Sequence, residues 1–294
     1  MFLAQLHRLC CTDGGAAECQ NVNDDRGARP QGLAEEEVER PWWAVDGKAG
    51  DPTFRLNLGT IEERDEIEVE GGARYRGQWL NGRRHGQGVL MRTDGQRYEG
   101  SFRNNQAQGH GVFCASNGNT YEGQWDSDRA HGYGKYVHVD GSTYEGEWKQ
   151  DEKSGQGVET WADGAKYSGE FLHGSKHGIG VYTSGKGVTY EGQFRHDKMD
   201  GEGCYRFADG RIYNGQWRAG HMNGTGRMEW PNGSTYEGGY ENDMKSGEGT
   251  FTWPDGRVYR GQWRSGKQHG RGTTVDLNGV ATAAEWRNGE RIFE

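Results

Sequence analysis

Four histidines, His85, His131, His177 and His269, recur at one position of a regular spacing, and histidine is the commonest metal ligand. The spacing itself defeats the idea within one chain. His85, His131 and His177 follow one another at intervals of 46 residues. If each 23 residues form one two-stranded unit, neighbouring histidines stand roughly 19 Å apart at ~4.8 Å per strand. Zinc ligands must all lie about 2 Å from one ion. No metal is expected, and only one shared across a dimer would escape the argument. The histidines read as loop residues with a hydrogen-bonding role.

Glycine pairs invite a phosphate cradle. Gly-x-Gly recurs from Gly86/Gly88 to Gly270/Gly272, but no Gly-x-Gly-x-x-Gly occurs and no Lys-Ser/Thr follows these glycines. The same regular pattern runs to Glu294, and residues 1–74 are too few and too polar for a catalytic domain. The expectation is therefore no catalytic residues, no cofactor and no enzyme. Lipid chemistry has two routes. Phosphoinositides need clustered cations, whereas Arg83-Arg84, Lys176, Lys245, Arg264 and Lys267 are scattered. Direct lipid contact by this region is weakly supported. Cys10-Cys11, beside the apolar stretch Phe2–Leu9, is a candidate acylation site.

What remains is aromatic, and it reveals the elements that position everything else. Tyr75 returns every 23 residues at Tyr98, Tyr121, Tyr144, Tyr167, Tyr190, Tyr213, Tyr236 and Tyr259. Four residues after each stands Trp79, Phe102, Trp125, Trp148, Phe171, Phe194, Trp217, Tyr240 or Trp263. A decayed copy at 282–286 keeps only Trp286. Nine copies in register establish a repeat array. In Tyr-x-Gly-x-Trp, large, null and large side chains alternate with polar residues such as Glu122, Gln124, Glu145 and Glu147 that face water; this is the period of a strand with one packed face. A second strand starts at Gly-x-Gly and carries Leu90, Phe113, Tyr136, Tyr182, Tyr205, Met228 or Phe251 on the same face, a column that Glu159 and Thr274 break. Two residues further lie Trp161, Phe207, Trp230 and Trp253. Glycine opposite a ring gives it a flat floor. Asp94-Gly95, Asn117-Gly118, Asp140-Gly141 and their equivalents predict two-residue hairpins with positive φ at both central positions.

The fold class expected is all-β: an elongated single-layer antiparallel meander of about nineteen strands, a twisted rod of very roughly 85–90 Å at ~4.8 Å per strand. Residues 1–59 read as a largely irregular acidic extension with a short helix at 33–39, residues 60–74 as a capping strand, 75–281 as nine repeats and 282–294 as a C-terminal half-repeat, its edge capped by Ile292-Phe293 or paired with a second chain. Composition agrees. Glycine is 52 of 294 residues, and only 31% are hydrophobic, enough for a thin ring-built layer and too little for a thick core. Residues 1–74 carry 16 acids and 8 bases, while 75–294 carry 28 and 27, so nucleic acid is not an expected partner. Five cysteines without regular spacing indicate a reducing compartment, and no run is long enough for a membrane-spanning helix.

The unit Tyr-x-Gly-x-Trp, Gly-x-Gly, Asp-Gly resembles the MORN repeat (membrane occupation and recognition nexus) over residues 75–294. The resemblance implies an elongated sheet that binds helices or extended peptides along an aromatic groove. Similar proteins tether membranes at junctions, build ciliary radial spokes or basal-complex scaffolds, or form antiparallel homodimers through their last repeats. On that footing the chain is expected to be a non-catalytic scaffold in a cytoplasmic, cytoskeleton-associated setting, with cilium, flagellum or basal body favoured. A peripheral membrane–cytoskeleton tether is the alternative. A single-layer sheet leaves its apolar face for something to cover, so Trp125, Trp148, Trp161, Trp217, Trp230 and Trp253 are the candidate anchors for partner proteins. Trp42-Trp43 reads either as a cap folded on the array or as a linear anchor.

Overall fold

The computed structural model describes residues 59–292, which form one open antiparallel sheet of 21 strands. Each strand pairs with its neighbours in sequence. The sheet opens with β1 (Glu62–Glu68), β2 (Arg74–Leu80), β3 (Arg83–Met91) and β4 (Arg97–Arg103), and closes with β20 (Ala281–Arg287) and β21 (Glu290–Ile292). Cys10, Cys11, the 33–39 segment, Trp42, Trp43 and Phe293 lie outside the described residues. The first edge, β1, is fully exposed and carries five acids in seven residues, which resists pairing with another sheet, and β21 is the last of the described strands.

Every repeat joins a seven-residue tyrosine strand such as β2 to a nine-residue glycine strand such as β3. The length difference is absorbed by a bulge. Pairing passes from Gly77↔Gly88 to Trp79↔Arg84, so Gln78 alone faces His85, Gly86 and Gln87. Gly86 takes φ 65 there, a left-handed conformation that explains the first glycine of Gly-x-Gly. The second has a different reason: a Cβ on Gly88 would lie 2.2 Å from the Tyr75 hydroxyl. The ring rests flat on that glycine, as the alternation predicts.

The bulge also gives the tyrosine its hydrogen bond. Tyr75 Oη donates to the Gln78 carbonyl at 2.9 Å, and each of the eight later tyrosines does the same three residues on, from Tyr98 to Ser101 through Tyr259 to Gln262. A buried phenol with no acceptor would be costly. The Gln78 side chain takes a further bulge donor, Gln87 N, at 2.9 Å, and Gln124, Glu147, Glu170, Gln193, Gln216 and Gln262 repeat this. Gln124 and Glu147 are thus exposed but not idle, a correction to their reading as merely water-facing.

The turns are the main departure from expectation. At the Asp-Gly column only the glycine has positive φ; Arg92 N donates to Gln96 O and Gly95 N to Arg92 O, so five residues make the turn. The two-residue turns with positive φ at both positions lie between the tyrosine and glycine strands instead, at Asn104-Asn105, Ser127-Asp128, Gln150-Asp151 and His196-Asp197, for example. Their second residue locks repeat to repeat. Asp128 Oδ1 accepts from Ala107 N at 2.8 Å, while Asp128 N donates to Ala107 O at 3.1 Å. Asn105, Asp151, Asp197 and Asp243 do the same to the repeat before them.

The core is one row of rings along the inner face. All nine tyrosines are buried, and each meets its own following aromatic and that of the next repeat edge-on. Tyr121, for instance, lies 5.1 Å from Trp125 and 5.3 Å from Trp148. Edge-to-face pairs of this kind add about 0.5–1.5 kcal/mol each beyond burial. Burial pushes the phenols up, to about 12 at Tyr75 and Tyr259 and higher in the others.

Candidate binding groove

Above this floor three columns of the repeat decide what the inner face presents. They lie 9, 15 and 17 residues after each tyrosine. In the second and third repeats the first two are filled and closed, and in the third repeat so is the last. The first column is Ala107 and Ala130, the second is Phe113 and Tyr136, and all four are buried. Asn119 seals the join: its Nδ2 donates to Tyr136 Oη at 2.6 Å, and its Oδ1 accepts from Val139 N at 3.0 Å. His138 closes the third column there, 6% exposed.

From the fourth repeat onward the same columns open. Trp161, Tyr182 and Tyr205 are only half-buried and border a trough of about 720 Å³ that also reaches Lys176, Phe194 and Met199, and the half-buried Phe207 packs on Tyr205 at 4.5 Å. Met222 and Met228 fill the seventh repeat. Beyond them Trp230, Phe251 and Trp253 form a second half-buried patch, with Phe251 at 5.8 Å from Trp230 and 5.0 Å from Trp253.

The six tryptophans expected as anchors divide accordingly. Trp125 and Trp148 are 2% exposed and Trp217 6%. Their indole Nε1 donates to the carbonyls of Gly111, Gly134 and Gly203, at 3.0, 3.0 and 3.3 Å, so both ring and donor are committed to the floor. Trp161, Trp230 and Trp253 stand at the margin where a partner can reach them.

Charge inside the groove escaped the sequence reading. Glu159, seen only as a gap in an aromatic column, is the centre of an ion cluster. Its carboxylate receives Lys153 Nζ at 2.5 Å and Lys176 Nζ at 3.1 Å, and Lys176 also lies 3.6 Å from Asp197. The cations lie on rings: Lys153 Nζ is 5.0 Å from the Tyr144 centroid and Lys176 Nζ 4.7 Å from Trp161. Lys245, in the same column, has Trp230, Tyr236, Phe251 and Trp263 at 4.5–5.0 Å, and burial brings its ammonium down to about 8. The signal was available: a glutamate in the ring column and lysines nine residues after three tyrosines.

The histidines are neither loop residues nor hydrogen-bonded through Nδ1. His85, His131, His177 and His269 lie within the bulges of glycine strands, half-buried, and the Nδ1 of each is buried without a hydrogen-bond partner. Among the described residues no group of three or more His, Cys, Asp or Glu could hold a metal, no disulfide forms, and no helix is long and apolar enough to cross a membrane.

Comparison with known proteins agrees with the period. The family model "MORN repeat" matches nine consecutive segments, 75–97, 98–120, 121–143, 144–166, 167–189, 190–210, 213–235, 236–256 and 259–279. No curated protein matches. Among solved structures, the TCP10 domain of Danio rerio CPAP is similar at 14% identity and a TM-score of 0.37, over 67% of this chain and 93% of that one. The SAS-4 (dCPAP) TCP domain of Drosophila melanogaster, in complex with a proline-rich motif of Ana2, gives 9% and 0.31 over 74% and 99%. Virginiamycin B lyase of Staphylococcus aureus gives 9% and 0.15 over 79% and 86%. TM-scores at this level say nothing about activity or partners.

Proposed function

The chain belongs to the MORN-repeat family, and from that premise we propose that it is a non-catalytic scaffold that docks partner proteins along its inner face, in a cytoplasmic cytoskeletal assembly such as a cilium, flagellum or basal body. One observation carries the reading. The half-buried rings from Trp161 to Trp253 form a strip on the packed side of a sheet that has no second layer among the described residues. Aromatic side chains with most of their area already fixed are efficient anchors, since little conformational freedom is lost when a partner covers them. A helix or extended segment running across the strands would meet Trp161, Trp230 and Trp253 in turn. The buried Trp125, Trp148 and Trp217 act beneath it by keeping the floor rigid. A homodimer through the C-terminal repeats is a second use of the same half of the sheet.

The test is detergent extraction of cells carrying the tagged protein, followed by crosslinking and by comparison with the double variant Trp230→Ala/Trp253→Ala. Retention on a cytoskeletal structure, crosslinks to residues 161–253 and loss of partner capture in the variant are expected. Release together with membrane markers, abolished by Cys10→Ser/Cys11→Ser, would replace the scaffold with a membrane–cytoskeleton tether.

A further inference from the structure

The repeats offer an internal comparison at Lys245. Lys153, Lys176 and Lys245 each stand nine residues after a repeat tyrosine and fold over the ring row. Two of the three meet a carboxylate from the same face, Glu159, at 2.5 and 3.1 Å. In the repeat of Lys245, the position of Glu159 is taken by Phe251. Among the described residues no carboxylate lies within 4 Å of Lys245 Nζ, and burial is the sole cause of the fall in its pKa. Its neighbours are four neutral rings at 4.5–5.0 Å. Rings attract the charge but do not accept the ammonium's three N–H donors as carboxylate oxygens do.

Resting on the docking function above, we propose that Lys245, flanked by Trp230 and Phe251 with Trp253 packed beyond Phe251, is a subsite for one carboxylate side chain of an acidic partner segment, whose adjacent apolar residues lie on the half-buried rings. The occupant supplies what Glu159 supplies four repeats earlier. A single carboxylate fits better than a phosphate because, of the cations over the rings of this patch, Lys245 alone has no carboxylate within 4 Å among the described residues. Arg257, which lies over Trp253, is held by Asp255 at 2.8 Å, and Arg211 by Asp209 at 2.8 Å. The array as a whole is almost neutral, with 28 acids against 27 bases over residues 75–294.

The experiment selects a displayed library of random dodecapeptides on the full chain, then measures the best binders by calorimetry against variants. Lys245→Met keeps the packing, since Met199 and Met222 occupy the same column. Phe251→Glu builds the internal pair that Lys153 and Glu159 already make. The expected result is enrichment of Asp or Glu beside Leu, Ile, Phe or Trp. Affinity should fall ~10-fold or more in both variants and be largely kept in Lys245→Arg, as a charge-assisted contact requires. Replacing the peptide's acid should cost nothing further in Lys245→Met. A synthetic peptide of residues 31–45, which carries Glu35, Glu36, Glu37, Glu39, Trp42 and Trp43, is measured alongside. Binding that depends on Lys245 would support the subsite and make this chain's own extension a source of the acid. Binders without acid preference, lost in Trp230→Ala/Trp253→Ala but unchanged in Lys245→Met, would overturn the subsite and leave the docking face standing. A phosphotyrosine peptide tighter than its glutamate counterpart would overturn the choice of carboxylate. If no selected peptide senses either tryptophan, the docking face fails and the subsite with it.

Discussion

The second and third repeats and the fourth to eighth share one floor and differ in how it is finished. In both regions a buried tyrosine rests on glycine, donates to a bulge carbonyl and meets two rings edge-on. In the earlier region Ala107, Ala130, Phe113, Tyr136 and Asn119 close the face. In the later one Lys176, Tyr182, Tyr205, Trp230, Lys245 and Trp253 leave it half-open. The difference separates two tasks that a repeat otherwise merges. Tyrosine, glycine and the following ring make the sheet, whereas the columns 9, 15 and 17 residues on decide whether anything can dock.

The sharpest way to break the comparison is to truncate one tryptophan of each kind. Trp125→Ala removes a ring with 2% exposure and strands the Gly111 carbonyl, and should cost ~3–5 kcal/mol. Trp253→Ala, at the margin, should cost less than ~1.5 kcal/mol while abolishing partner capture. Repeat arrays unfold locally as well as globally, so hydrogen exchange resolved by strand is the measurement. Equal losses of protection in the two variants would erase the distinction between floor and margin.

The next test asks whether the floor is truly the same in both regions. A Cβ on Gly134 would lie 2.4 Å from Tyr121 Oη, and one on Gly226 2.4 Å from Tyr213 Oη. Gly134→Ala and Gly226→Ala should therefore each destabilise by about 1–3 kcal/mol through overpacking, in equal measure. A markedly milder effect at Gly226 would mean that the open region yields where the closed one cannot.

Much of this floor is legible in the sequence because each of its features is a column. Period, strand alternation and glycine beneath ring all follow from Tyr75-x-Gly77-x-Trp79 and Gly88. The turns were misread for a physical reason. Asp94-Gly95 has the chemistry of a tight hairpin, but its glycine alone needs positive φ, while the tight hairpins use pairs as unlike as Ser127-Asp128 and Gln150-Asp151. Those pairs are chosen for the Asx side chain that reaches the preceding repeat at Ala107 N or Ala130 N, a contact 21 residues long that no local turn rule contains. Exposure was equally hidden. Trp125 and Trp253 belong to different columns, and nothing in the spelling says that one column is floor and the other margin. The clue lay in the exceptions, Glu159 where a ring was due and lysine nine residues after a tyrosine.

Asn119 offers a smaller perturbation aimed at the closed face alone. Asn119→Ala removes the 2.6 Å bond to Tyr136 Oη and takes from Val139 N its 3.0 Å acceptor. Losing these two bonds puts the cost at about 1–2 kcal/mol. Exchange should speed up around residues 136–143 and stay unchanged beyond Trp161. If the third repeat then took up aromatic or apolar probes as the later ones do, closure would rest on this one clamp.

The finest distinction is electrostatic. At the column that holds Ala107 and Ala130 in the closed region, the eighth repeat holds Lys245, lowered from 10.5 to about 8 by burial. Between these two values the unfolded chain keeps a proton that the folded chain has released, so folding becomes more favourable as pH rises through that window. The folded state's penalty for holding this ammonium is fully present below about pH 8 and gone above about 10.5. Lys245→Met removes the titration. Its stabilising effect on the eighth repeat should be largest at pH 7, on the order of 1 kcal/mol once partial solvation is allowed for, and should vanish by pH 10.5. Buried tyrosines, whose raised values make alkali destabilising above about pH 10, are common to both proteins and cancel in the difference. Hydrogen-exchange protection of residues 244–252 at a series of pH values reads the effect directly. A pH-independent difference between the two proteins would mean that Lys245 keeps its water in solution, and that the open region differs from the closed one in shape alone.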